Sequence, residues 1–246
     1  MSRIGTWSLV LLLITAGAPG LRAQRTHTNG GAVVERNGVV VTKLAGHTLY
    51  IPKGYVSSFM GYAGYLEIHA LLPCLLPETE ANTNQFHQNT FGHVLRAVLN
   101  PFSDAPYRIG QNLLENHVKN SEYYLANHGA QNPGRKVPES EIGPISVPNS
   151  KFTLYRDLLL KEDVFVLPDS KPLLVVSCNR RTWFVRYPIC LVREKILQDI
   201  HIQYSYDRSF VDISADNAAE IDNRLRSLIR SFLTQGRVNG SESCKQ

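Results

Sequence analysis

The segment from Cys178 to Cys190 carries the residue types that most often bind other proteins. Arginine, tryptophan and tyrosine dominate binding hot spots because they combine a large contact area with directed polar groups. A disulfide at the base of the segment would hold it in shape and reduce the entropy lost on association. The alternative is an ordinary hairpin in which the aromatic side chains pack into the core and the arginines face water. We predict a partner-binding site made of Arg180, Arg181, Trp183, Arg186 and Tyr187.

Residues that could support catalysis or bind a metal form no recognisable motif. The sequence has eight histidines but no HExxH pattern, and a helix would place His87 and His93 on opposite faces. It also lacks the GxSxG turn of serine hydrolases. We therefore predict a protein that is not an enzyme, with no catalytic residues, no metal and no cofactor. Because distant residues can assemble an active site, an exported hydrolase remains an alternative, as does a periplasmic ligand carrier or envelope scaffold.

The four cysteines predict disulfide bonds, since an even number in an exported chain favours pairing over metal binding. Cys178 and Cys190 are the first predicted pair. They would close a short loop and stabilise the fold by about 3 kcal/mol. Cys74 and Cys244 are the second predicted pair, which would tie the C-terminal tail to the body of the protein, unless one of them is free.

The first 23 residues have the order of a cleaved export signal. Arg3 precedes an apolar run at 7–16, and small residues follow before Gln24. The apolar run is about a dozen residues, whereas a helix needs roughly 20 to span a bilayer, so an uncleaved anchor is the weaker alternative. No cysteine lies beside the cut for lipid attachment. We predict a soluble, secreted product without a stable membrane span, periplasmic if the source is a Gram-negative bacterium.

The charge pattern gives no sign of a polyanionic partner. The formal charge is +5, and removal of Arg3 and Arg22 with the signal lowers it to +3. This excess is spread along the chain, with no run of like charges typical of a nucleic-acid or membrane tether. We therefore predict a protein partner and no nucleic acid.

Strand and helix patterns predict an α+β fold, with antiparallel sheets packed against a few helices and an amphipathic C-terminal helix. Alternating or short apolar runs predict strands at 39–44, 47–51, 65–72, 152–156, 163–167, 173–178, 183–187, 200–206 and 210–214. Apolar residues at spacings of three and four predict helices at 83–99 and 108–127. Asp207 and Arg208 fit the turn of a final hairpin. Asn217 and Glu220 form a capping-box pattern at the start of the last helix, which ends before Gly236.

A stretch rich in proline and glycine divides the chain into two predicted halves. The predicted organisation is a signal peptide at 1–23, an N-terminal α+β lobe at 24–128, a loop or linker at 129–150, a C-terminal antiparallel sheet plus helix at 151–236, and a tail at 237–246.

Several features of the C-terminal half occur together with the export signal. They are Cys178, Cys190, the preceding Pro188, the strand tyrosines Tyr204 and Tyr206, and the helix at 221–232. This combination resembles the periplasmic immunity proteins that neutralise lipase effectors of type VI secretion. Many of those proteins are lipoproteins, whereas this chain lacks the cysteine that lipid attachment requires. The resemblance implies an inhibitor that binds one toxic lipase directly and blocks its active site, and it transfers no binding residues.

Overall fold

Antiparallel strands form the framework of the fold, and in most of them apolar residues recur at every second position. The computed structural model describes residues 26–28, 31–57, 65–87, 92–101, 109–128, 142–182 and 185–234. The first sheet has four strands in chain order: β1 (Thr26–Thr28), β2 (Gly31–Arg36), β3 (Val39–Leu44) and β4 (His47–Pro52). The turns that join β2 to β3 and β3 to β4 hold Asn37, Gly38, Ala45 and Gly46 at positive φ. This backbone conformation is typical of tight hairpin turns.

The second sheet has eight strands and combines both predicted halves of the chain. Its strands are β5 (Leu66–Leu71), β6 (Val94–Pro101), β7 (Ile145–Ser146), β8 (Thr153–Asp157), β9 (Glu162–Leu167), β10 (Leu174–Asn179), β11 (Ile189–Lys195) and β12 (Ile200–Asp207). Their order is β5-β6-β12-β11-β10-β9-β8-β7, with antiparallel neighbours throughout. Because β6 pairs with β12, strands from before and after the predicted linker share one sheet.

Helices complete the α+β fold predicted from the sequence. A short 3₁₀ helix spans Lys53–Tyr55, and the α-helices are α1 (Thr83–Phe86), α2 (Gly110–His128), α3 (Ser209–Ile213) and α4 (Asp216–Leu233). The structure thus confirms the helix predicted at 108–127 and the C-terminal helix. Among the residues that the structure describes, none of these helices has the length and apolar character needed to cross a membrane.

Helix α4 packs against both sheets. Its buried apolar side chains recur at intervals of three and four, as in an amphipathic helix: Ala218, Ile221, Leu225, Leu228, Ile229 and Phe232. They share one core with inward-facing residues of β4, such as Ile51, and of β12, such as Ile202. The ring of Phe232 lies 5.6 Å from that of Tyr55, beyond the end of β4. The two sheets therefore depend on α4 to bury their inner faces.

Helix α2 covers part of the opposite face of the eight-stranded sheet. Leu113 and Leu114 form a second buried cluster with Val164, Val166 and Val175. Side chains alternate between the two faces of a strand, and the neighbouring residues of these strands belong to the larger core around α4. Strands β9 and β10 are consequently covered on both faces.

The predicted helix at 83–99 is wrong for most of its length. Only Thr83–Phe86 is helical, whereas Val94–Pro101 is strand β6. Leu95, Ala97 and Leu99 are buried at every second position, and β6 pairs with β5 on one side and β12 on the other. The same apolar residues also fit a helical period, so the apolar pattern alone does not distinguish the two structures. Hydrogen bonding to a strand on each side determines that this segment is a strand.

The predicted final hairpin is also wrong, since residues 209–213 form α3. Asp207 accepts a hydrogen bond from the backbone N–H of Ser209 at 2.8 Å, and Arg208 pairs with Asp212 across one turn. The predicted capping box does not form, because the N-cap of α4 is Ala215. Asn217 donates its side-chain amide to the carbonyl oxygen of Phe210 at 2.9 Å instead, which ties α3 to α4.

The predicted strand at 183–187 lies partly outside the described residues, and its described part, 185–187, is not a strand. The strand that follows Cys178 begins at Ile189 as β11. The signal peptide, the tail and most of the predicted linker likewise lie outside the described residues.

Candidate functional site

A disulfide closes the base of the segment that the sequence predicts to bind a partner. Cys178 of β10 and Cys190 of β11 are directly opposite each other in the strand register and are joined as predicted. Both are fully buried in the core around α4. The bond therefore fixes where the segment leaves and re-enters the sheet. Cys74 is also disulfide-bonded, and its predicted partner, Cys244, lies outside the described residues.

Arg180 is held by the neighbouring strand. Its Nε donates to Oδ1 of Asp163 at 2.8 Å, and Arg208 donates to the other carboxylate oxygen at 2.7 Å. Burial lowers the pKa of Arg208, but hydrogen bonds to Asp163 and Asp212 outweigh burial and raise it overall. This network positions the segment on the sheet, so Arg180 differs in role from the exposed arginines.

Three of the predicted binding residues are exposed to solvent: Arg181, Arg186 and Tyr187. Tyr187 is 54% exposed to solvent, so its ring does not pack into the core. Trp183, the remaining predicted binding residue, lies outside the described residues. The described part of the segment thus presents two cations and one aromatic ring beside a rigid strand pair.

The turn between β8 and β9 lies next to this segment. The backbone N–H of Arg180 donates to the carbonyl oxygen of Lys161 at 3.1 Å. In the same turn Leu159 and Leu160 are 39% and 50% exposed. We call Leu159, Leu160, Arg181, Arg186 and Tyr187 together the loop surface. The two leucines carry no binding signal in the sequence, because the exposure of a leucine depends on the fold.

A cavity of about 190 Å³ lies beside the loop surface, between α2 and strands β9 to β11. Its lining combines leucines with polar side chains: Leu113, Asn116, His117, Leu160, Glu162, Ser177, Leu191 and Arg193. Pockets for drug-sized ligands usually enclose about 300 to 1,000 Å³. The cavity is therefore too small for a large organic cofactor, but it has room for water, an ion or a single side chain.

His117 and Asp157 form a buried pair at this cavity. Nδ1 of His117 lies 2.8 Å from Oδ2 of Asp157, and both side chains are almost completely excluded from solvent. Burial raises the pKa of the Asp157 carboxyl, but hydrogen bonds from His117, the Leu160 N–H and Asn120 outweigh burial and lower it overall. Asp157 is therefore ionised at neutral pH. The sequence could not reveal this pair, because its members lie 40 positions apart on different elements.

The arrangement around His117 lacks an activated serine among the described residues. Ser177 donates its hydroxyl to Glu162, and Ser121 donates to the carbonyl oxygen of Arg156 at 2.8 Å. Nε2 of His117 is buried and has no hydrogen-bond partner there. Nucleophilic catalysis by serine requires a hydrogen bond between the hydroxyl and its base. The described geometry therefore gives no support to a serine hydrolase.

A solved structure with a similar architecture is that of Smlt3025, an immunity protein of the Stenotrophomonas maltophilia type IV secretion system. The alignment covers 85% of this chain and 98% of Smlt3025, with a TM-score of 0.51 and 14% sequence identity. The two chains share a fold. No family model matches the sequence, and no curated protein matches it.

Proposed function

We propose that this protein is an exported immunity protein that binds a secreted toxin and neutralises it by direct contact. The observation that carries this proposal is the likeness to Smlt3025, which extends over nearly the whole of that immunity protein. The buried disulfide supports an oxidising compartment, since such bonds persist mainly outside the cytoplasm. The export signal predicted at residues 1–23 agrees with that compartment.

We further propose that the loop surface contacts the toxin. It combines exposed leucines and a tyrosine with the cations of Arg181 and Arg186, so it suits a partner surface that offers both apolar and acidic groups. The Cys178–Cys190 disulfide limits the motion of the segment and so reduces the entropy lost on binding. The target class is a lipase, because the sequence resembles immunity proteins of type VI lipase effectors.

Growth rescue tests the proposed function. We predict that a gene beside this one encodes a lipase-like toxin, and that product is directed to the periplasm of a test strain, with and without the full chain. We expect growth arrest that the full chain relieves, whereas a chain without residues 1–23 leaves the toxin active. Purified protein should also inhibit the toxin's hydrolysis of phospholipid vesicles. Absence of both rescue and complex formation would contradict the proposal.

Point substitutions, one reversing a charge and one removing an aromatic ring, test the proposed contact surface. Arg181→Glu and Tyr187→Ala should each weaken toxin binding by at least tenfold, as expected of hot-spot residues whose loss costs about 1.4 kcal/mol or more. Lys171→Glu is the matched control, because Lys171 is equally exposed but lies in the turn at the opposite end of β9 and β10. Equal affinity for all three variants and the unchanged protein would place the contact elsewhere.

A further inference from the structure

We propose that His117, Asp157 and Glu162 bind a divalent transition-metal ion such as zinc. The three residues come from α2, the end of β8 and the start of β9, and their ligand atoms all lie within 4.8 Å of one another. One imidazole nitrogen and two carboxylate oxygens are ligand types that zinc accepts. The inference is independent of the proposed toxin partner.

The spacing of the ligand atoms fits one central ion. Nδ1 of His117 lies 2.8 Å from Asp157 Oδ2 and 3.8 Å from Glu162 Oε2. Ligands held about 2.1 Å from zinc in a tetrahedron are about 3.4 Å apart, which falls between these two distances. His117 and Asp157 would therefore move apart and Glu162 would move closer to His117 as the ion binds.

The charges of the cluster favour a cation. Asp157 is fully buried and Glu162 is four-fifths buried, yet the ion-pair partner of both carboxylates within the described residues is the single imidazole of His117. Burying a carboxylate without full charge compensation is costly. A divalent ion would neutralise both carboxylates at once.

His117 can supply a lone pair to the ion. Its Nε2 is buried without a hydrogen-bond partner in the described part of the chain, so no donor there requires the lone pair of that atom and Nε2 can carry the proton. With the proton on Nε2, the lone pair of Nδ1 faces the two carboxylates. Metal binding therefore exchanges the Nδ1 hydrogen bond to Asp157 for a bond to the ion.

The surroundings provide the outer support that metal sites require. Asn120 and the Leu160 N–H donate to the Asp157 carboxylate, and Ser177 donates to Glu162. Such outer hydrogen bonds orient the ligands of metal sites, and their loss weakens metal binding. The adjacent cavity, lined by His117, Glu162 and Ser177, offers an entry path and room for water as a fourth ligand.

To test the site, the untagged, full-length protein is first treated with a chelator, which is then removed. The protein is then titrated with zinc chloride. We expect one zinc ion per chain by calorimetry and a rise in melting temperature that a chelator reverses. Cobalt should give a visible spectrum typical of nitrogen and oxygen ligands without thiolate absorption, since no free cysteine is present among the described residues.

Variants assign the binding to the cluster. Glu162→Gln and His117→Gln should weaken zinc binding by at least tenfold and abolish the rise in melting temperature. His47→Gln is the matched control, because His47 forms a comparable pair with Asp199, at 2.9 Å, but at a half-exposed position. If His117→Gln fails to fold, Glu162→Gln decides the question. Absence of saturable binding, or equal affinity in Glu162→Gln and the unchanged protein, overturns the proposal.

Discussion

A buried ion cluster between α4 and β11 predicts an unusual dependence of stability on pH. Nε of Arg226 donates to Asp222 at 2.8 Å, and the same guanidinium donates to Glu194. Two buried carboxylates therefore share one cation. Burial raises the pKa of Asp222 to about 6, although the hydrogen bond from Tyr204 acts in the opposite direction.

The sign of the effect follows from the direction of this pKa shift. The pKa of Asp222 rises from 3.8 in the unfolded chain to about 6 in the folded protein, so the folded state binds the proton more tightly. This contribution to stability is fully present below about pH 4 and is lost as the pH rises through about 6. A shift of about two units corresponds to about 3 kcal/mol.

Urea unfolding of the unchanged protein and of Asp222→Asn between about pH 4 and about pH 7 measures this contribution. Asparagine still accepts from Tyr204 but cannot pair with Arg226, which adds a loss of stability that does not depend on pH. Relative to Asp222→Asn, the unchanged protein should lose up to about 3 kcal/mol across this range. Asp169→Asn, at an exposed turn, is the control. A difference that stays constant, or that grows in favour of the unchanged protein as the pH rises, would refute the reasoning.

Three further predictions concern stability. Cys178→Ser should cost about 3 kcal/mol of unfolding free energy, and a reductant should lower the melting temperature of the unchanged protein similarly; equal stability would contradict a structural role for the bond. Phe232→Ala should cost about 3 to 5 kcal/mol in urea unfolding because it leaves a cavity between the sheets. Gly54→Ala should lower the melting temperature because its Cβ would collide with the carbonyl oxygen of Glu78, whereas the exposed neighbour Lys53→Ala should not.

Patterns confined to one element were sufficient to predict much of the fold. The buried residues of β12 alternate strictly with less buried ones, and this period of two predicts a strand with one buried face. The apolar residues of helix α4 recur at intervals of three and four along the sequence, with charged residues between them. The pair of Cys178 and Cys190 was predictable because four cysteines allow only three pairings and these two lie close together along the chain.

Features that depend on distant partners were not predictable. Strand β6 contains Val94, Leu95, Val98 and Leu99, which fit the period of a helix as well as that of a strand. Only its pairing with β5 and β12 selects the strand.

The candidate site likewise contains residues that the composition indicates and residue pairs that depend on the fold. Composition pointed to Arg181 and Tyr187 as binding residues, and that role stays a prediction, whereas the pairing of Arg180 with Asp163 depends on strand register. His117 and Asp157 lie on separate elements, and no fixed spacing connects them. No local signal in the sequence could have found that pair.

The position of α4 has a consequence for the timing of folding. The helix shares one core with both sheets, yet it follows every described strand along the chain. During synthesis, neither sheet can complete its core until residue 233 has emerged from the ribosome. Contacts between segments so far apart form slowly, because loop closure costs entropy before the contacts stabilise it. The core that α4 shares with the strands is therefore expected to form late in folding.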